Sequence, residues 1–240
     1  MKPARRRAQA IAQGRGRNDR LVIPLAFEVA ARISARPLEE FRNDATQLAN
    51  GLGELQQALA ADGLVCALAN RMELASAAGG GLDVERICAQ GPVGASLEAC
   101  RRLRAVQGDE AALLAGLTGP ATLATQFGVD VATAALAFGA LVKAFCEAGA
   151  DVLLLWEDED VDTGTDDWQD GVKTAANIAR FHQASLLGWN VAGLPAPRKM
   201  PLAAPTAPAP GIVTTAEVVP ATADIEQLRQ WVLALRGEQA

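Results

Sequence analysis

Five carboxylates fall within residues 157–162 of this 240-residue chain: Glu157, Asp158, Glu159, Asp160 and Asp162. They follow directly on an apolar run, VLLLW, from Val152 to Trp156. A short apolar run of this kind reads as a buried strand. In a parallel α/β fold, residues just past a strand's C-terminal end face the ligand-binding side. Carboxylates held side by side disfavour each other's ionisation, so one of a pair can keep its proton and donate it. Glu157 and Asp158 are therefore the candidate catalytic residues, suited to general acid work on a carbon or nitrogen centre. The later acids, with Asp166 and Asp167, read as a hydrated loop leading into a helix whose N-terminal dipole favours negative charge. The spacing does not suit a Ca²⁺ loop, which needs a central Gly and a terminal Glu.

Other residues could join such a site. Glu28 follows the first apolar run, and Glu217 lies near the end of the last. With Glu157 they would place three carboxylates at one mouth, which favours a cationic or metal-bound ligand. Thr118, Gly119 and Pro120 form a tight turn where backbone can approach a ligand. The single histidine, His182, reads as a helix residue at the surface or core edge. Cys66, Cys88, Cys100 and Cys146 show no CxxC pairing, so zinc through them has no support from spacing. They read as reduced, mostly buried thiols, which suits a cytoplasmic setting. The glycine run in AAGGGLD (77–83) lacks phosphate-loop spacing.

These residues need elements to hold them. Residues 4–13 can form a leading helix. RLVIPLAF (20–27) reads as a strand. Apolar spacing predicts one helix over 36–63, and LVCAL (64–68) is the next strand. LEACRRLRAV (97–106) reads as a helix, and AALLAGLTGP (111–120) as a strand ending in a turn. Residues 131–151 form a long helix, and 166–188 another. WNVAGLP is a candidate short strand. Six prolines between 195 and 210 exclude a helix there. GIVTTAEV (211–218) is a strand and 223–237 the last helix. Alternating strands and helices favour parallel βαβ units with right-handed crossovers. The predicted fold is α/β, a TIM-type (β/α)8 barrel over residues 1–240, abbreviated in its second half.

Composition narrows the partners. The net charge is −6, yet residues 1–20 hold seven Lys and Arg against Asp19. An acidic body disfavours nucleic acid. The basic head reads as a short helix packed on the domain, the other reading being an Arg-rich targeting peptide. No apolar run of 18 residues stands out, so no membrane span is expected.

Several segments together resemble the uroporphyrinogen decarboxylase superfamily, which includes cobalamin-dependent methyltransferases on the same barrel. They are RRRAQAIAQGRGRNDRLVIP, ISARPLEEFRNDATQLANGL, LTGPATLATQFG with its GP-x-TLA turn, EAGADVLLLWEDE, and GIVTTAEVVPATADIEQLRQWVLAL. The resemblance implies a barrel with its site at the strand ends. Where the decarboxylase branch carries an arginine-rich RQAGRY loop, this sequence has AFEVAARIS, which puts Phe27 and Glu28 among the substrate-facing residues. The methyltransferase branch's His-x-Cys zinc motif has no counterpart around His182. The Pro-rich segment 195–210 stands in place of βα units, and the exposed edge predicts a homodimer or a hetero-complex.

The resemblance implies one-carbon transfer with a corrinoid or folate carrier, in which Glu157 acts as acid or pterin anchor. The partner would be a small molecule or a corrinoid protein. Two alternatives follow from the departures: decarboxylation of a tetrapyrrole, and a non-catalytic relative that binds or regulates a partner.

Overall fold

The apolar runs fold as strands, and two of them, Gly63–Ala67 and Ala112–Thr118, are buried from end to end. In the computed structural model, residues 2–69, 71–203 and 210–237 are described. The order is α1 (Ala4–Ala12), β1 (Arg20–Val22), α2 (Phe27–Ile33), α3 (Leu38–Asn43), α4 (Ala45–Leu59), β2 (Gly63–Ala67), α5 (Met72–Ala77), α6 (Val84–Ala89) and α7 (Gly91–Gln107). Then come β3 (Ala112–Thr118), α8 (Pro120–Phe127), α9 (Val131–Ala148), β4 (Val152–Trp156), α10 (Asp166–Phe181), β5 (Ser185–Trp189), β6 (Arg198–Met200), β7 (Gly211–Thr215) and α11 (Ile225–Arg236). Every position of β2 and β3 is buried. That pattern belongs to parallel strands covered on both faces.

The described strands form two parallel sheets, β2-β3-β4-β5 and β1-β7-β6. Placed end to end, the two arcs follow chain order, as in a (β/α) barrel. The ladder does not close among the described residues. At one seam Asp62 donates its N–H to the Val22 carbonyl at 3.1 Å and accepts the Val22 N–H at 2.9 Å. At the other, the Gly188 N–H reaches the Pro195 carbonyl at 2.8 Å.

Several elements differ from the sequence reading. The helix over 36–63 breaks at Asp44, whose extended backbone lets its carboxylate accept from Thr46 and Gln47. Such a cap starts a new helix and ends the old one. The helix over 166–188 stops at Phe181, with Gln183 in the left-handed region, and Ser185–Trp189 is strand β5. WNVAGLP is then a turn apart from Trp189. The first strand ends at Val22, and Phe27 opens a helix. GP-x-TLA is the start of α8 and not only a turn. Among the described residues no helix lies between β5 and α11. The Pro-rich segment contains β6, and its residues 204–209 lie outside the described ones.

By length and composition α9 could cross a membrane, with a mean hydropathy of 1.6, which the sequence reading missed. In the structure 56% of it is buried. It packs on α8, α10 and α7. Gly149, in the left-handed region at φ 107°, ends it, a conformation that glycine adopts without Cβ strain.

The N-terminal ends of the strands carry a repeated latch. Asp151, just before β4, donates its N–H to the Leu113 carbonyl at 2.8 Å and accepts the Leu113 N–H at 2.9 Å. This repeats the Asp62–Val22 exchange. Each aspartate is buried and meets a cation: Arg7 for Asp62 at 2.6 Å, Arg104 and Arg5 for Asp151. Burial pushes the Asp151 carboxyl above its ordinary value, and Arg104 opposes that shift. Removing one partner of a buried pair strands the other. Asp151→Ala should destabilise the fold by about 3 kcal/mol in urea denaturation, and Asp151→Asn by less.

Candidate functional site

Side chains alternate across a strand. Asp151 meets Arg104 of α7, so the odd positions around β4 face the helices. Glu157 obeys the same parity. Its Oε1 accepts from the Ala121 N–H at 3.0 Å and from Trp168 Nε1 at 2.7 Å, and its Oε2 accepts from the Thr122 N–H at 2.8 Å. Ala121 and Thr122 are in the first turn of α8, and Trp168 is on α10. Glu157 therefore caps a helix and joins two outer helices. It is buried and does not face the barrel interior.

Gly119 makes this cap possible. A Cβ there would lie 2.4 Å from the Glu157 carboxylate. Pro120 takes the first position of α8, where its missing N–H costs no hydrogen bond. Asp158 is exposed, and its N–H is held by Thr122 Oγ1 at 2.8 Å. The predicted catalytic pair is thus split: Glu157 lies beneath the helices and Asp158 on the rim. Glu159 and Asp160 are exposed, and Asp162 accepts the Gly164 N–H at 2.8 Å. This part is the solvated loop that the sequence suggested.

The predicted convergence of Glu28, Glu157 and Glu217 does not form. Glu28 is half-buried in the first turn of α2, and Glu217 is exposed. The loops after β1 and β7 do meet, through the Val219 N–H and the Leu25 carbonyl at 2.8 Å. Glu157 is turned away from both. Phe27 is a core residue, 4% exposed, with its ring edge-on to Phe41 at 5.7 Å. His182 ends α10 and packs against Phe181.

The even positions of β4 face the other way, away from those helices. Register pairs Thr118 with Trp156 and Trp156 with Trp189, so the three share a face. The rings of Trp156 and Trp189 stack with centroids 4.8 Å apart. Lys199 Nζ lies 3.8 Å from the Trp189 ring centre and also donates to Asn190 Oδ1. Burial lowers the Lys199 ammonium below its ordinary value. Lys199 pairs in register with Thr214, which is fully buried and whose hydroxyl has no hydrogen-bond partner among the described residues. One inward-facing layer thus runs Thr118, Trp156, Trp189, Lys199, Thr214.

Sequence reading missed the acid at this layer. Glu73, on α5, is fully buried. It accepts the Thr118 N–H at 3.0 Å and the Thr118 hydroxyl at 2.7 Å. Burial pushes its carboxyl above the usual carboxylate range, more than those two donors pull it down. No local signal marks it, since its partner lies 45 residues away. Lys199 and Thr214 were equally hidden, because both depend on strand register.

Among the described residues no three His, Cys, Asp or Glu side chains gather to hold a metal. Cys66 and Cys100 are buried thiols, and burial pushes the Cys146 thiol up to about 12.

No known family model and no curated protein matches this sequence. The fold is similar to a solved structure, a methyltransferase from Methanosarcina mazei. The TM-score is 0.73, with 99% of this chain and 99% of that chain covered, at 13% identity. The likeness establishes the mixed α/β fold with parallel sheets.

Two tests separate structure from chemistry here. In Glu157→Gln the amide oxygen can still accept, but the N–H₂ is set against at least one of the three N–H donors. Glu157→Gln and Gly119→Ala should each cost about 1–3 kcal/mol in thermal or urea unfolding and leave ligand binding at the mouth unchanged. The second test concerns Glu73. Its raised folded pKa gives a stability that is full below the unfolded value, about 4.3, and falls as pH rises through the folded value. Urea midpoints measured across pH should show that fall in the parent chain and not in Glu73→Gln.

Proposed function

We propose that this chain is a methyl-transfer protein that works at the C-terminal mouth of the barrel. The likeness over the full length to a methyltransferase supports the class. The inward layer of Trp156, Trp189 and Lys199 is the observation that carries the site. Membership of the uroporphyrinogen decarboxylase superfamily is part of this proposal. It rests on the ordered motifs together with the fold.

A corrinoid or a folate would serve as carrier. The residues present fit a flat, polar ring system in one respect. Trp156 is partly exposed and already stacks on one ring. A second ring on its other face would continue the stack. When bound, the carrier supplies the methyl group. The chain's own residues bind and orient. Trp156 positions the ring, Lys199 offers charge to an acceptor oxygen, and Glu73 fixes Thr118 beside them. The donor set does not fit a thiolate-bound zinc, because Cys66 hydrogen-bonds the Leu114 carbonyl from a buried position.

A binding or regulatory role is the second reading. The capping duty of Glu157 favours it, because that carboxylate is committed to structure. Decarboxylation of a polycarboxylate gains nothing from the inward layer, where Lys199 is the single cation among the residues named.

Tryptophan fluorescence titration with methylcobalamin and, separately, with 5-methyltetrahydrofolate tests the proposal, corrected for inner-filter absorption. Saturable quenching by either is expected, weakened about fivefold in Trp156→Leu, in line with about 1 kcal/mol for an aromatic pair. Binding without methyl transfer to any thiol acceptor would leave the binding-protein reading. No saturable binding of either carrier would overturn the methyl-transfer reading.

A further inference from the structure

A cavity of about 720 Å³ lies not beneath the carboxylates but at the seam between β5 and β6, where the Gly188 N–H of β5 bonds the Pro195 carbonyl in the loop ahead of β6. That volume falls within the common range for small-molecule sites, about 300–1,000 Å³. Leu187, Met200, Ile212 and Ile11 give it apolar walls. Leu187 lies two residues before Trp189, and Ile212 two before Thr214, so both face inward with that layer.

The charges in this cavity have one sign. Arg198 and Lys199 line it, and no carboxylate does. Arg198 is exposed, and its Nε donates to the Pro210 carbonyl at 2.9 Å. Lys199 reaches back over Trp189 to Asn190. Two cations around an apolar hollow complement an anion on an apolar body.

We propose that the β5–β6 seam is a binding site for an amphipathic anion, a carboxylate on an aliphatic chain or ring. Its apolar part lies against Leu187 and Ile212, and its charge meets Lys199, with Arg198 at the exposed rim. This site is distinct from the methyl-transfer reading and does not depend on it. It touches that reading at one residue. An anion that draws Lys199 off the Trp189 ring changes the mouth layer, so occupancy of the seam is felt at the stacked tryptophans.

The test is calorimetric titration of the full chain with decanoate, with tryptophan emission followed in parallel. A single saturable event is expected, accompanied by a change in emission. Decanol, which has the same chain without the charge, should bind at least tenfold more weakly. Lys199→Met and Arg198→Gln should each weaken decanoate at least tenfold, and Lys199→Met should also remove the emission change. Ala196→Trp, at an exposed position on the cavity wall, should block binding while the thermal midpoint stays that of the parent chain. Decanol binding as tightly as decanoate would overturn the proposal. So would the absence of a saturable event, or unchanged affinity in all three variants. None of these outcomes depends on a methyl carrier being bound.

Discussion

Strand β4 is fixed at both ends by carboxylates on its helix-facing side, and much of the architecture follows from that. Asp151 ties the lower end to α1, α7 and β3. Glu157 ties the upper end to α8 and α10. Each acid finds several donors, so neither is left bare in a low-dielectric surrounding. With both odd ends held outward, the even positions must point inward. Trp156 then meets Trp189, the Trp189 ring meets Lys199 across the gap between the sheets, and register pairs Lys199 with Thr214. A capping interaction beneath the helices thus determines which side chains a ligand in the barrel would see.

Much of the fold was legible in the sequence because helix caps and apolar runs are local. Asp130 before α9 and Asp224 before α11 accept helix N–H groups, as their positions suggest. Ser185–Trp189 was lost because its leucines extend the apolar rhythm of α10 across the turn at Gln183. The site was less legible for a related reason. In VLLLW every residue is apolar, so the run shows that it is a strand without showing which face is which. Whether Glu157 faced a ligand or a helix was then undetermined. Glu73 sits on a six-residue helix and is explained only by Thr118 on another strand. Long-range pairing of that kind leaves no spacing to read.

The functional reading moves inward as a result. The exposed acids are a hydrated approach to α10, and the inward layer is aromatic and basic. A flat carrier at the mouth and a charged apolar guest at the seam would share Lys199, the residue that faces both. The shared amine gives the two sites a physical route of communication that needs no movement of the sheets.

The two seams also divide the molecule by stability. The β2–β5 arc has long, paired and buried strands, whereas β1 and β6 have three residues each. Free energies of local opening scale with such buried, hydrogen-bonded content, and regions of low content open as separate cooperative units. The β6–β7–β1 arc is the weaker unit, held at its margins by Asp62 on one side and one backbone contact on the other. Amide exchange would therefore proceed in two tiers. Transient parting of the weaker tier would expose the inward layer sideways, so the proposed guest would enter without the mouth opening and without global unfolding.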